Sequence, residues 1–412
     1  MKPIAIVLGG TSPHKLLIDK LKSRGFYVIL VDFMENPPAK ATADEHIMAS
    51  TLDKETVLFI ARERKVQLVI STCIDQANSI CCYVAEQLNL PHPYSYQTSL
   101  EVTHKGLMKR ILTDNKIPTS PFVTMSSICD QDLSAVGFPA VVKPVDCNSS
   151  KGVKRVDCEK EAAEAIEEAL HLSRTGFAIL EGYNVGPEIQ VDCLATSSGV
   201  KVMMTRQKQK LVARGNEMVL QSYGSIFPAQ LNTKQETEVQ CIADGIASAF
   251  NLRNTPFFYQ AIVTEFGIKV LEFAPRIGGG LSYSILKNFG SYDAVEYAID
   301  SFLGVELSAE PSIPTNRFLS SNIIYVTQGT FDHIEGLEEL KAGNVVDEYF
   351  NLKVKGDYID GDMRSSNRVA AFIVEGNDYS ELMGKERRAF AAIDVYDIYG
   401  KSIFDRSIYP IV

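Results

Sequence analysis

From residue 1 to about 92 the chain alternates short apolar runs with amphipathic stretches. IAIVLGG is nearly continuous in apolar residues and ends in glycines, which predicts a buried strand; HKLLIDKLKSRG has apolar residues at helical spacing and stops at a glycine. FYVILVDF and VQLVISTC repeat the strand pattern. KETVLFIARERK and IDQANSICCYVAEQLNL repeat the helical one, the second ending before Pro91. This βαβαβα order predicts a doubly wound parallel sheet with right-handed crossovers. Ligands of such sheets sit at the carboxyl ends of strands, so Gly9, Gly10, Thr11 and Ser12 form a candidate ligand edge. A plain strand-to-helix turn running to His14 is the simpler reading. GGTSPH lacks the dinucleotide fingerprint, and Asp32 reads as a cap or loop residue before it reads as a ribose ligand.

Residues 93–305 carry a mixed pattern that predicts an α/β region. A helix is expected over 97–115, and Pro118 and Pro121 mark an extended entry. PAVVKPV, VKRVDC, FAILEGYN, PEIQVDCLAT and KVMMTRQK predict strands; EKEAAEAIEEALHLS and TKQETEVQCIADGIASAF predict helices. The segment 207–228 is polar and poorly periodic, as a mobile loop would be. PFFYQAIVTEFGIKVLEFAPRIGGG reads as two strands joined by a tight turn at Glu265-Phe266-Gly267, followed by helices in SYSILKNFG and YDAVEYAIDSFLG. After the linker AEPSIPTN, residues 306–412 show strand-like FLSSNIIYVTQG and RVAAFIVEG, a helix across 378–392 and an extended end at Val395 to Gly400. A small C-terminal α+β domain is expected there.

Composition narrows this picture. The length of 412 residues allows two or three domains, and 45% hydrophobic with 22% charged residues is ordinary for a globular chain. A net charge of −10 argues against a nucleic-acid backbone as the main partner. No apolar run reaches the roughly 18 residues of a membrane span, and the start is too short in apolar residues for a signal peptide. Eight scattered cysteines form no CxxC pair and have no histidines at metal-ligand spacing. They read as buried hydrophobes in a reducing, cytoplasmic setting.

Four clusters carry candidate chemistry. THKGLMKRIL places Lys105 and Lys109 at i, i+4, a spacing equally natural for a solvated helix face. FPAVVKPVDCNSSKGV ends a strand at Lys143 and continues into Asn148, Ser149, Ser150 and Gly152, whose donors can wrap phosphate oxygens. AILEGYNVGPEIQVD carries Glu181 and Glu188; a carboxylate such as Glu188 can accept both hydroxyls of a ribose. On the hairpin, Gln260 and Glu272 lie twelve positions apart on paired strands, so both oxygens can face one Mg²⁺. Arg276 follows, within reach of a phosphate or acyl phosphate.

Together these clusters resemble the ATP-grasp superfamily of carboxylate–amine ligases, in its carbamoyl-phosphate-synthase-like, D-alanine-ligase-like and L-amino-acid-ligase-like branches. The resemblance covers most of the chain and is best over 104–280. It implies an α/β fold of three parts: an N-terminal doubly wound domain (1–92), an ATP-grasp domain of two α+β subdomains (93–305, the small one about 118–182), and a small C-terminal α+β domain (306–412). It implies that Lys105, Lys143, Ser149, Ser150 and Gly152 hold ATP phosphates, that Glu181 and Tyr183 form the adenine hinge, and that Glu188 takes the ribose. Gln260 and Glu272 become ligands of Mg²⁺, or of Mn²⁺ in its place. Arg276 and Lys143 become the catalytic cations.

The implied reaction is ADP-forming: a carboxylate is phosphorylated and an amine attacks the acyl phosphate. The resemblance points to amino-acid-like substrates, to cytoplasmic location, to neither nucleic acid nor membrane as partner, and to a homodimer as one possible assembly. The alternatives are a small-molecule kinase on the same fold and a non-catalytic nucleotide-binding protein. Two departures bear on the metal. Many members are acidic where this chain has Gln260, although carbamoyl-phosphate synthases use glutamine. Many also have asparagine where it has Ala274, which leaves Glu272 more of the metal, with Glu265 in the turn as a possible helper. Arg206, Lys208, Lys210 and Arg214 in the 207–228 neighbourhood are further cations that can face phosphate or substrate, or simply solvent.

Overall fold

The computed structural model describes residues 2–127, 133–147, 151–212, 221–279, 282–290, 292–308, 310–311, 317–363 and 367–410. The chain opens with β1 (Ile4–Leu8), α1 (Ser12–Ser23), β2 (Tyr27–Asp32), β3 (Glu45–Met48), α2 (Lys54–Arg64), β4 (Leu68–Ile70) and α3 (Asp75–Leu88). The strands form the expected parallel sheet, in the order β3-β2-β1-β4. Ala5 to Leu8 and Val28 to Val31 are buried on both faces, which is why they read as continuous apolar runs. Strand β3 was not legible: EHIM is a half-buried edge strand without clear alternation.

The turn after β1 is committed to packing. Gly9 has φ +99°, and a Cβ there would lie 2.8 Å from Ile74 Cδ1. Gly10 N–H donates to Asp32 Oδ2 at 2.7 Å, and Met34 N–H donates to Asp32 Oδ1 at 2.8 Å. Asp32 is thus a loop clamp. His14 is buried, with Nδ1 2.8 Å from Thr11 Oγ1 and Nε2 3.4 Å from Ser71 Oγ. Burial drives its pKa down to about 4.

The helical stretch at 97–115 is two helices, α4 (Tyr96–Thr103) and α5 (Lys105–Asp114). The break is His104, whose extended backbone and Nδ1, accepting from Leu107 N–H at 3.2 Å, cap α5. Next come β5 (Phe122–Met125), β6 (Ala140–Pro144), β7 (Lys154–Val156), α6 (Glu159–Leu172) and β8 (Ala178–Gly182). They make a small antiparallel sheet, β5-β8-β6-β7, with its own core of Ala140, Val142 and Leu180 against Ala162, Ile166 and Ala169 of α6.

The centre of the molecule is β9 (Glu188–Thr196), β10 (Gly199–Lys210), β11 (Ser222–Phe227), α7 (Thr233–Ala249), β12 (Thr255–Thr264), β13 (Gly267–Ala274), α8 (Ser282–Gly290) and α9 (Ala294–Phe302). The end of the chain adds β14 (Phe318–Ile324), β15 (Gly329–Glu335), α10 (Leu337–Ala342), β16 (Glu348–Asn351), β17 (Tyr358–Ile359), β18 (Ala370–Gly376), α11 (Tyr379–Ala392) and β19 (Asp394–Asp397). One eight-stranded sheet, β13-β12-β9-β10-β11-β14-β18-β16, runs through both regions, and β17-β15-β19 form a three-stranded sheet beside it.

One expectation changes. The segment 207–228 is not a loop throughout: Gln207 to Lys210 finish β10 and Ser222 to Phe227 are β11. Lys208 and Lys210 interrupt the apolar alternation because their face of the sheet is polar. Residues 213–220, including Arg214, lie outside the described residues. The strands β14, β18 and β16 continue the large sheet, so the C-terminal region shares its framework with the central one.

The large sheet has two unlike faces. Ile189, Val191, Cys193 and Ala195 of β9 pack with Tyr259 and Ala261 of β12 against Val239, Ile242, Ala243 and Ile246 of α7. The residues between them, Glu188, Gln190 and Asp192, therefore point to the opposite face. That face carries the site.

Candidate active site

Strand register builds a polar row across the sheet. Glu272 on β13 pairs with Gln260 on β12, Gln260 with Gln190 on β9, and Gln190 with Arg206 on β10. Residues directly opposite in a ladder share a face, so these four side chains stand side by side. Gln260 turns its amide nitrogen toward Gln190 Oε1, at 3.5 Å. Glu265 sits at the β12–β13 turn, the far end of the hairpin. About five strand residues separate it from Gln260, some ~17 Å of extended chain, so it takes no part in this row.

The lysines meet this row from two other elements. Lys105 opens α5; its Nζ donates to Cys147 O at 2.7 Å and lies 3.9 Å from Glu272 Oε2. Lys143 on β6 pairs with Glu181 of β8, and its pKa is raised because the charges of Glu181, Glu272 and Glu188 outweigh burial. Lys105, Lys143 and Glu272 therefore face one cleft between the small sheet and the large one.

Lys109 is the residue the sequence undervalued. One helical turn after Lys105, it is buried, not solvated. Its Nζ lies 2.7 Å from Thr119 Oγ1 and 2.8 Å from Glu181 Oε2. The i, i+4 spacing was the available signal; what it did not reveal was the buried carboxylate opposite. Burial pushes the Glu181 carboxyl up, but Lys109 and Lys143 overcome it and hold the group at about 2. Burial and the neighbouring Lys143 in turn lower Lys109. Glu181 is thus the shared anion of a triad, and its side chain is spent on the two lysines. Tyr183 follows it, with its N–H on Pro139 O at 3.1 Å and the Arg155 guanidinium 4.7 Å from its ring centre.

Glu188 is held between Lys208 Nζ, at 2.8 Å, and Lys210. Burial raises its carboxyl, and the two lysines bring it down to about 2. A ribose here would share Glu188 with both cations. Gly152 has φ +71°, and a Cβ would lie 2.7 Å from Leu172 Cδ1, so the turn after Lys143 needs glycine at this point. Asn148, Ser149 and Ser150, the expected phosphate wrap, lie outside the described residues.

Arg276 is half-buried against the N-terminal region. Its Nε and Nη2 donate to Asp75 Oδ1 and Oδ2 at 2.5 and 2.7 Å, and Nη1 donates to Ile277 O at 2.9 Å. Burial lowers its pKa, but Asp75 more than compensates and the net direction is up. Asp75, the first residue of α3, went unremarked in the sequence, although it follows the carboxyl end of β4 where ligands of parallel sheets gather.

Gln260 and Glu272 fit a hard cation. Two oxygen-bearing side chains stand opposite one another, and Glu272 keeps part of its carboxylate exposed in the cleft. Among the described residues no three His, Cys, Asp or Glu side chains converge on a metal cage. A Mg²⁺ ion held here would take its remaining ligands from phosphate and water, its usual preference.

Residues 103–280 match the sequence-family model for the ATP-grasp (A) domain of phosphoribosylglycinamide synthetase. The cleft just described lies within that segment. The matching relatives include a formate-dependent phosphoribosylglycinamide formyltransferase from Tolumonas auensis, 28% identical over 183 residues, covering 43% of this chain and 46% of that protein. The one from Hydrogenovibrio crunogenus is 29% identical over 163 residues, covering 39% and 42%. The chain thus spans less than half the length of these formyltransferases.

Whole-chain likeness comes from solved structures. The L-amino acid ligase from Bacillus licheniformis superposes with a TM-score of 0.79 at 23% identity, covering 96% of this chain and 99% of that one. The N5-carboxyaminoimidazole ribonucleotide synthetase from Thermotoga maritima gives 0.73 at 21% identity, covering 96% and 100%. These likenesses show that the chain shares the fold of those two structures along nearly its whole length. No helix among the described residues is long and apolar enough to cross a membrane.

Proposed function

We propose that the protein is an ADP-forming carboxylate–amine ligase that makes an amide or peptide bond through an acyl phosphate. The supporting observation is the convergence of Lys105, Lys143 and Glu272 on one cleft from α5, the small sheet and the hairpin. Phosphoryl transfer is mostly positioning and charge neutralisation, which cations from separate elements supply. In this reading Lys105 and Lys143 take phosphate oxygens, joined by the turn ending at Gly152. Glu181 sets both Lys109 and Lys143 in place, and the backbone from Glu181 to Tyr183 faces adenine. Glu188 orders the ribose end together with Lys208 and Lys210. Gln260 and Glu272 hold Mg²⁺, which neutralises phosphate charge when bound; Mn²⁺ satisfies the same oxygens. Arg276 stabilises the phosphate of the acyl phosphate, and closure of the small sheet over the cleft keeps water from that intermediate.

Substrates are small carboxylates and amines, and the compartment is the cytoplasm, in keeping with seven free cysteines among the described residues. The test is phosphate release from ATP in the presence of amino acids and small acids. Release that requires an added amine supports a ligase. Release of ADP without amine and without free phosphate, the phosphoryl group remaining on a stable product, makes the protein a kinase. Lys143→Ala and Glu272→Ala should each abolish turnover with the fold retained.

A further inference from the structure

The large sheet carries a second polar cluster on the face away from the cleft. Helix α11 buries four residues, Leu382, Glu386, Ala389 and Phe390, and Glu386 is the one ionisable group among them. It is 0% exposed. Its Oε1 accepts from Gln209 Nε2 on β10 at 2.6 Å and from the Tyr223 hydroxyl on β11 at 3.5 Å. Ser320 on β14 also bonds to the carboxyl, and Asn322 Nδ2 donates to Ser320 Oγ at 2.9 Å. One side chain of α11 therefore reaches three successive strands of the sheet. Stability does not account for it. Glu386 Oε2, Gln209 Oε1 and Asn322 Oδ1 are buried without a partner among the described residues, and burial raises the Glu386 pKa. A buried carboxyl in an apolar stripe is a poor source of stability, and an apolar side chain of similar volume serves as well.

What the carboxyl fixes is Gln209. This residue lies between Lys208 and Lys210, the two cations that hold Glu188. Alternation along a strand puts Gln209 on the back of the sheet and both lysines on the cleft face. The ladder is interrupted at this stretch. Strands β10 and β11 pair Gln209 with Gly224 and Lys210 with Ser222, so Tyr223 is an extra residue and the register shifts between Gln209 and Lys210. Gly224 gives Gln209 no side chain to brace against; Gln209 Oε1 leans over it, 2.7 Å from where a Cβ would stand. The bond from Glu386 therefore anchors the end of β10 where its own ladder is weakest.

We infer that Glu386 is a positioning residue for the ribose end of the nucleotide site: through Gln209 it sets the end of β10, and with it Lys208, Lys210 and the Glu188 carboxylate between them. The C-terminal region thereby tunes nucleotide affinity from behind the sheet. The inference rests on the reading of Glu188 as the ribose ligand, and it adds to that site a residue that touches no ligand.

Calorimetry with ADP or 2′-deoxy-ADP and Mg²⁺ tests this without any acceptor substrate. The wild type should prefer ADP. Glu386→Leu should weaken ADP binding by about tenfold, within the usual range for coupling between sites, and bring it close to that of the deoxy nucleotide. Glu386→Gln, which still accepts from Gln209, should keep most of the preference. A role in stability alone would lower the unfolding midpoint of Glu386→Leu and leave the preference untouched, and that result overturns the inference. Coupling is reciprocal, so a second measurement uses the wild type and needs no variant to fold. ADP should slow backbone hydrogen exchange at residues 384–390 of α11, and 2′-deoxy-ADP should slow it less. Exchange in α11 that ignores ADP overturns the inference and leaves the nucleotide site standing. A wild type that binds both nucleotides equally, or neither, overturns the ribose reading and this inference with it. Absence of amine-dependent phosphate release would overturn the ligase reading alone.

Discussion

Arg276 and Asp75 grip one another at two points across the boundary between the N-terminal and central regions, with the third guanidinium nitrogen tied to the Ile277 carbonyl. Every nitrogen of the arginine is thereby fixed, and its plane lies over the ring of Phe258, 5.2 Å from the centre. An arginine so held cannot swing; it can only be brought to a ligand by the ligand, or by movement of the two regions together. In the proposed reading, Asp75 is a positioning residue for the cation assigned to the acyl phosphate.

Asp75→Asn removes the charge while keeping the shape. It should lower kcat by about 100-fold, the scale of one misplaced electrostatic contact, and leave the KM for ATP within about twofold. Steady-state kinetics with ATP varied separately from the acid gives the answer; an unchanged kcat would mean Arg276 is held well enough without its partner.

Glu181→Gln leaves the buried Lys109 and the half-buried Lys143 with no anion between them. Breaking one partner out of a buried ion pair costs about 3–5 kcal/mol, and that loss is expected in urea unfolding. ATP binding, followed by calorimetry on the folded protein, should weaken as well, because Lys143 loses the contact that orients it.

The metal reading turns on Gln260. Gln260→Glu supplies a second carboxylate opposite Glu272 and should tighten Mg²⁺ binding by about tenfold, while Glu272→Gln should weaken it by at least as much. Titration of the cation against ADP-bound protein measures both. If neither substitution moves the midpoint, the ion is held elsewhere.

His14 gives a pH prediction. Its pKa is about 4 in the folded chain against an ordinary value of 6.5, lowered by burial. The unfolded chain therefore binds more protons between those values, and stability falls as pH drops from about 6.5 through 4. The full effect is about 3 kcal/mol. Unfolding midpoints from pH 7 to 4 should show this slope in the wild type and a shallower one in His14→Asn.

The strands buried on both faces, and the hairpin around Glu265, were plain in the sequence because their apolar runs and turn residues are local signals. So were Lys105, Lys143 and Glu272, each at the end or start of a well-marked element. Strand β11 and the end of β10 were hidden because Lys208 and Lys210 answer to Glu188 on a neighbouring strand, not to the apolar period of their own. The burial of Lys109 depends on Glu181, and the grip on Arg276 depends on Asp75, some two hundred residues earlier. Such pairings exist only after the chain has closed, and no window of sequence contains both partners.

The eight-stranded sheet has a mechanical consequence. Hydrogen bonds tie the hairpin carrying Glu272 to β14 and β18 through an unbroken ladder, so the Glu272 end and the C-terminal region share one framework. The four strands β5-β8-β6-β7, with a core of their own, are outside that ladder. The two sides of the cleft therefore belong to separate hydrogen-bonded frameworks: Lys143 rides on the small sheet and Glu272 on the large one.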